Sequence, residues 1–103
     1  MNILIADDNA EFCTTLGSII TEQGWNWYAT HAPTETLNYL REHHAEVSVM
    51  LLDVEFRHPT LSGLHVLEQS RRFYPRLPVV MISGESTYQD VVKATRLGAV
   101  NFI

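Results

Sequence analysis

Residues Val49–Glu55 read VMLLDVE, an apolar run that ends on an acid. From Val47 to Leu52 only Ser48 is polar. That is the pattern of a strand covered on both faces, since a half-exposed strand would alternate. A carboxylate at the end of such a strand is misplaced for packing. Its meaning depends on the sheet that carries it and on where the other acids fall.

The flanking sequence supplies both. Asn2 to Ala6 forms a second short apolar run, stopped by Asp7-Asp8. Phe12, Leu16, Ile19 and Ile20 recur at helical spacing from Ala10, and Gly24 is a natural stop. Trp25 to Ala29 reads as a strand with Trp25, Trp27 and Ala29 on one face. Pro33 opens a second helix at an early position, where its missing donor costs nothing. Leu37 and Leu40 give that helix a buried stripe. Leu64, Leu67 and Phe73 line a third helix, Val79 to Ile82 a fourth strand, Thr87 to Leu97 a fourth helix, and Val100 to Ile103 a fifth strand. Strand and helix alternate with short connections, which predicts an α/β fold with a parallel sheet and right-handed crossovers. The chain stops inside the fifth strand with no helix after it, so it reads as cut short.

Composition narrows the function. The 103 residues are 46% hydrophobic, enough for one domain with its own core. Twelve acids against seven Lys and Arg give a formal charge of -5, a poor surface for nucleic acid. The one basic cluster, Arg71, Arg72 and Arg76, is expected to face solvent at a helix end. One cysteine, Cys13, excludes an internal disulfide and fits a buried helix position. No apolar run is long enough to span a membrane, and no basic leader precedes the first strand. The expected location is the cytoplasm.

In an open α/β sheet, ligands bind beyond the carboxyl ends of the strands, where strand order reverses. Asp7 and Asp8 follow the first strand and Asp53 ends the third. If those strands are neighbours, three carboxylates converge. Such groups repel and raise one another's proton affinity. A hard divalent cation relieves the repulsion, and Mg²⁺ also bridges to phosphoryl oxygens. After the fourth strand, Ser83 offers a hydroxyl and Gly84 allows close backbone approach. The plainer reading of Asp7-Asp8 is a helix N-cap with a first-turn acid, and of Asp53 a turn residue.

With those residues in place, the chain resembles the receiver domains of two-component response regulators. ILIADD, VMLLDVE, LPVVMISG and LGAVNFI are similar to that family's first, third, fourth and fifth strands, in order and across the whole chain. The resemblance implies a flavodoxin-like, doubly wound, five-stranded parallel sheet of order 2-1-3-4-5, here without its last helix. It implies that Asp53 is the aspartate phosphorylated by a histidine kinase or phosphotransfer protein. Asp7, Asp8, Asp53 and the backbone carbonyl of Glu55 would hold Mg²⁺. Ser83 would hydrogen-bond the arriving phosphoryl oxygen and shift toward it, and Phe102 would be the switch aromatic. The domain would promote its own phosphorylation and lose the group to water. It looks most like receivers of sigma-54-dependent or other DNA-binding regulators, in which DNA is met only through a separate output domain. A self-dimer is a further implied partner.

Three departures stand out. DVEFRHPTLSG, between Asp53 and Gly63, is longer than is usual and displaces Pro59. The family's lysine, expected in a Lys-Pro pair after the fifth strand, lies past Ile103. Gly84 leaves the site mouth open to water. These leave a second reading, a degenerate receiver acting only as an interaction module. A third is a phosphohydrolase with Glu55 as general acid. The histidines His31, His43, His44, His58 and His65 show no metal spacing.

Overall fold

The computed structural model describes residues 1–53, 55–56 and 61–82, and the backbone of 101–102. Five strands form one parallel sheet: β1 (Asn2–Ala6), β2 (Asn26–Thr30), β3 (Val49–Asp53), β4 (Val79–Ile82) and β5 (Asn101–Phe102). Their order is β2-β1-β3-β4-β5, as the resemblance implies. Three helices connect them among the described residues: α1 (Ala10–Glu22), α2 (Pro33–His43) and α3 (Gly63–Phe73). A 3₁₀ turn, His44–Glu46, leads from α2 to β3. The expected helix Thr87–Leu97 lies outside the described residues.

Both faces of the central strands are buried, which explains their unbroken apolar sequence. On one face Leu4, Ala6, Met50 and Leu52 pack with Leu40 of α2 and Val66 and Leu67 of α3. On the other, Ile3 and Ile5 pack with Cys13 and Ile20 of α1. Register ties β1 to β3 through Ile3↔Val49 up to Ala6↔Leu52. The residues that follow these pairs, Asp7 and Asp53, therefore emerge at one edge of the sheet.

Local signals set the helix ends. Asn9 caps α1, its side-chain oxygen accepting from the Phe12 N–H at 3.0 Å. Gly24 ends the same segment at φ +80°, a conformation that glycine adopts without strain. Pro33 starts α2, and Ser62 caps α3 by accepting from the His65 N–H.

Three expectations need correction. In α1 the buried face is Cys13, Gly17 and Ile20, with Leu16 half-buried. Phe12 and Ile19 are exposed, because each stands one residue, about 100° of helical turn, before a buried position. Phe73 is also exposed rather than core, at the last turn of α3, with the Arg72 guanidinium 5.4 Å from its ring centre. Trp25 is not part of β2. Its N–H donates to the Ile20 carbonyl, so it belongs to the turn that follows α1.

Gly17 has a packing role that propensity alone misses. A Cβ there would run into the indole of Trp27, which is itself fixed by its N–H donating to Thr21 Oγ1 at 3.2 Å. Alanine normally favours a helix interior by about 1 kcal/mol over glycine. Overpacking outweighs that gain, so Gly17→Ala is expected to lose about 1–3 kcal/mol, measured as a lower urea midpoint. A variant as stable as the parent would contradict this packing.

Candidate functional site

The site is built by two strand ends and the turns that leave them. β1 delivers Asp7 and Asp8, and β3 delivers Asp53. One carboxylate oxygen from each lies within 4.8 Å of the other two. Asp7 and Asp53 are buried, 7% and 8% exposed, while Asp8 faces solvent. Strand order reverses between β1 and β3, since β2 lies on one side of β1 and β3 on the other. The acids thus occupy the crevice where open α/β sheets bind ligands.

Each buried acid braces its own turn with one oxygen. The Asn9 N–H donates to Asp7 Oδ1 at 2.9 Å, and the Glu55 N–H donates to Asp53 Oδ1 at 2.9 Å. Capping of α1 falls to Asn9. The acid pair is therefore not spent on the capping role that a plain reading gives it.

Burial and mutual repulsion load the site with electrostatic strain. Burial and, less strongly, the charges of Asp7, Asp8 and Glu55 push the Asp53 carboxyl up to about 6, against the opposing Glu55 N–H. Asp7 is raised in the same way, chiefly by burial, with the Asn9 N–H working against it. Beneath them the Cys13 thiol is pushed up to about 11 by burial and by the charges of Asp7, Asp53 and Asp8. It remains a neutral thiol, in van der Waals reach of the Asp7 carbonyl at 3.6 Å, and is not a nucleophile at neutral pH.

The sequence-predicted residues divide into three groups. Asp7, Asp8 and Asp53 come together. Glu55 is adjacent, its N–H turned to Asp53, with its side chain exposed. Ser83 lies outside the described residues, as does Gly84, and for Phe102 the structure describes the β5 backbone alone. Two residues escaped the sequence reading. Asn9 supplies both a cap and a donor to Asp7. His31, at the end of β2, places Nδ1 3.0 Å from the Asp7 carbonyl oxygen, while its own N–H donates to the Glu35 carboxylate. A capping residue directly after an acid pair was a visible signal for Asn9. Nothing local marked His31, because β2 meets β1 only through the sheet. Among the described residues no histidine joins the acidic cluster.

With this geometry, comparison with known proteins assigns the class. The profile of the response regulator receiver domain matches residues 3–103. The chain belongs to that family. It is 31% identical over 103 residues to a putative response regulator NtrX-like protein of Rickettsia bellii, covering all of this chain and 21% of that one. It is 25% identical to the transcriptional regulatory protein ZraR of Escherichia coli, again over all of this chain and 22% of the relative. Among solved structures it is similar to CheY in the CheX–CheY–BeF3–Mg²⁺ complex of Borrelia burgdorferi, with TM-score 0.90 and 28% identity, over 100% of this chain and 76% of that one. The chain spans about a fifth of the length of these curated relatives.

The raised carboxyl of Asp53 has a stability consequence with a definite sign. The folded state holds a proton that the unfolded chain gives up nearer 3.8. Stability therefore falls as pH rises from about 4 to about 6, and the penalty, on the order of 3 kcal/mol, persists above that. Asp53→Asn keeps the acceptor for Glu55 and removes the charge. Its thermal midpoint should exceed the parent's at pH 7.5 without divalent cations and match it near pH 4. A variant less stable than the parent at pH 7.5 would contradict the assignment.

Proposed function

We propose that this domain receives a phosphoryl group on Asp53 from a histidine kinase or phosphotransfer protein and so controls a transcriptional output. The observation that supports this best is the gathering of Asp7, Asp8 and Asp53 from separate segments at the reversal point of a receiver-family sheet. The free oxygen of Asp53 attacks phosphorus. The bond from phosphorus to the imidazole nitrogen of the donor breaks, its electron pair staying on that nitrogen, and an acyl phosphate forms. Hydrolysis later returns the carboxylate and inorganic phosphate.

Mg²⁺ fits the residues present. All three side chains are hard oxygen donors, and two are buried carboxyls raised by burial and by neighbouring acids. Asp7, Asp8 and Asp53, with the Glu55 carbonyl, would hold it. When bound, the ion supplies positive charge to the carboxylates and to phosphoryl oxygens. The Borrelia CheY complex contains Mg²⁺, which supports the choice. Asp7 and Asp8 hold position through the Asn9 turn, and the Glu55 N–H orients Asp53 so that its second oxygen faces outward. Ser83 contacts the phosphoryl oxygen and Phe102 responds to occupancy, in line with the family resemblance.

The 103 residues serve as the receiver portion, residues 1–103, of a longer regulator of the NtrX or ZraR kind, with sigma-54-dependent activation as its output. The domain itself meets no DNA, and self-association is one means of passing on the signal. Among the described residues no helix is long and apolar enough to cross a membrane, and a cytoplasmic location suits exchange with a kinase. The family match over residues 3–103 favours a receiver over a phosphohydrolase with Glu55 as general acid.

Incubation with acetyl phosphate and Mg²⁺, followed by intact mass, tests the proposal. A gain of one phosphoryl group is expected, absent in Asp53→Asn and without the cation. No gain in the parent chain would overturn it and leave an interaction module, and rapid turnover of general phosphomonoesters would point to a hydrolase.

A further inference from the structure

The opposite end of the sheet carries a second feature that phosphorylation does not use. A cleft of about 230 Å³ opens at the amino ends of β1 and β2, between those strands, α2 and the 3₁₀ turn. Asn2, Asn26, Tyr28, Tyr39 and Glu46 supply its functional groups. Tyr28 and Tyr39 stack with ring centres 4.4 Å apart, and Tyr39 in turn meets His43 at 4.6 Å. Tyr28 is 53% exposed, so an aromatic face is open to a ligand.

The polar groups around these rings leave acceptors open. Asn26 donates its amide to Asn2 Oδ1, and Asn2 donates its amide to the Glu46 carbonyl. One N–H of each amide is therefore engaged. Glu46 Oε2 already faces His43 Nδ1 at 3.3 Å, but Asn26 Oδ1 and Glu46 Oε1 accept no hydrogen bond among the described residues, and the Glu46 carboxylate lies close enough to Tyr39 for its charge to be felt at the phenol. Exposed aromatic faces beside a carboxylate and an amide oxygen are complementary to a flat, donor-rich cation. A guanidinium meets all three demands: it stacks on a ring, donates in one plane to the free carboxylate and amide oxygens, and stays charged. An ammonium offers no plane to stack.

The cleft also lies beside β2, the outermost strand of the sheet, where a polypeptide can approach. We propose that this cleft docks an arginine side chain of a partner protein. It lies a strand's length, about 15 Å, from the acidic crevice at the carboxyl ends, so a partner held there leaves Asp53 accessible.

Titration with N-acetyl-arginine amide, followed by amide chemical shifts, tests this directly. Saturable shifts confined to the neighbourhood of Asn2, Asn26, Tyr28, Tyr39 and Glu46 are expected, with N-acetyl-lysine amide binding more weakly. Glu46 is exposed, so Glu46→Gln should fold normally and weaken binding roughly fivefold, the scale of one exposed charge contact. Tyr28→Leu, also at an exposed position, should weaken it by a similar factor. Shifts that never saturate, that spread over all surface acids, or that persist unchanged in both variants would overturn the proposal. Equal binding of the lysine probe would overturn the assignment to arginine.

Discussion

Three carboxylates held close together at the edge of a parallel sheet are the constraint on which the rest depends. Like charges in partial burial repel, and a chain under no functional demand relieves this by moving them apart. Here the backbone forbids it. Asp7 follows the register pair Ala6↔Leu52 on β1, and Asp53 ends β3 beside it. The strands below are pinned by Leu4, Ile5, Met50 and Leu52, all essentially inaccessible to solvent. Each fully buried side chain of this size is worth about 1.5–3 kcal/mol. A few of them outweigh the electrostatic penalty on Asp53. The apolar core thus holds the acids in an arrangement that is unfavourable without a counter-charge.

That division of labour explains why so little of the crevice depends on long side chains. Short turns from rigid strand ends position Asp7 and Asp53, and backbone N–H groups two residues on fix their rotation. Asn9 and His31 secure the first turn from two directions, one along the chain and one from the neighbouring strand. A carboxylate fixed in this way has one oxygen committed to its own turn. The opposite end of the same strands closes against the 3₁₀ turn, where the N–H of Asn2 donates to Ser48 Oγ and its side chain to the Glu46 carbonyl. The two ends of the sheet are therefore chemically distinct: one gathers carboxylates, the other sets aromatic rings beside acceptors.

Much of the fold was legible because the central strands are buried on both faces. VMLLD and NILIA could be little else than interior strands, and β4 spans the predicted Val79–Ile82. Helix faces were harder to read. In α1 apolar residues occur on two sides, so Phe12 and Ile19 mimic a core stripe, while the true contact face contains a glycine and a cysteine. Phe73 misled for a related reason: it stands one residue before Tyr74, which is the side chain that packs against the core at the end of α3. At the site, Asp7, Asp8 and Asp53 could be found because each follows an apolar run. His31 could not, since its contact with Asp7 spans 24 residues and exists only once β2 pairs with β1. The Gly17–Trp27 packing was hidden likewise.

The central claim is that the crevice acids share one cation and are strained without it. The most direct measurement is a pH titration of the Asp53 side-chain carboxyl by carbon NMR, with and without Mg²⁺. Strained sharing predicts an apparent pKa near 6 in the absence of the ion, and a fall of at least one unit when saturating Mg²⁺ competes with the proton. An ordinary carboxyl near 4 that ignores the ion would contradict it.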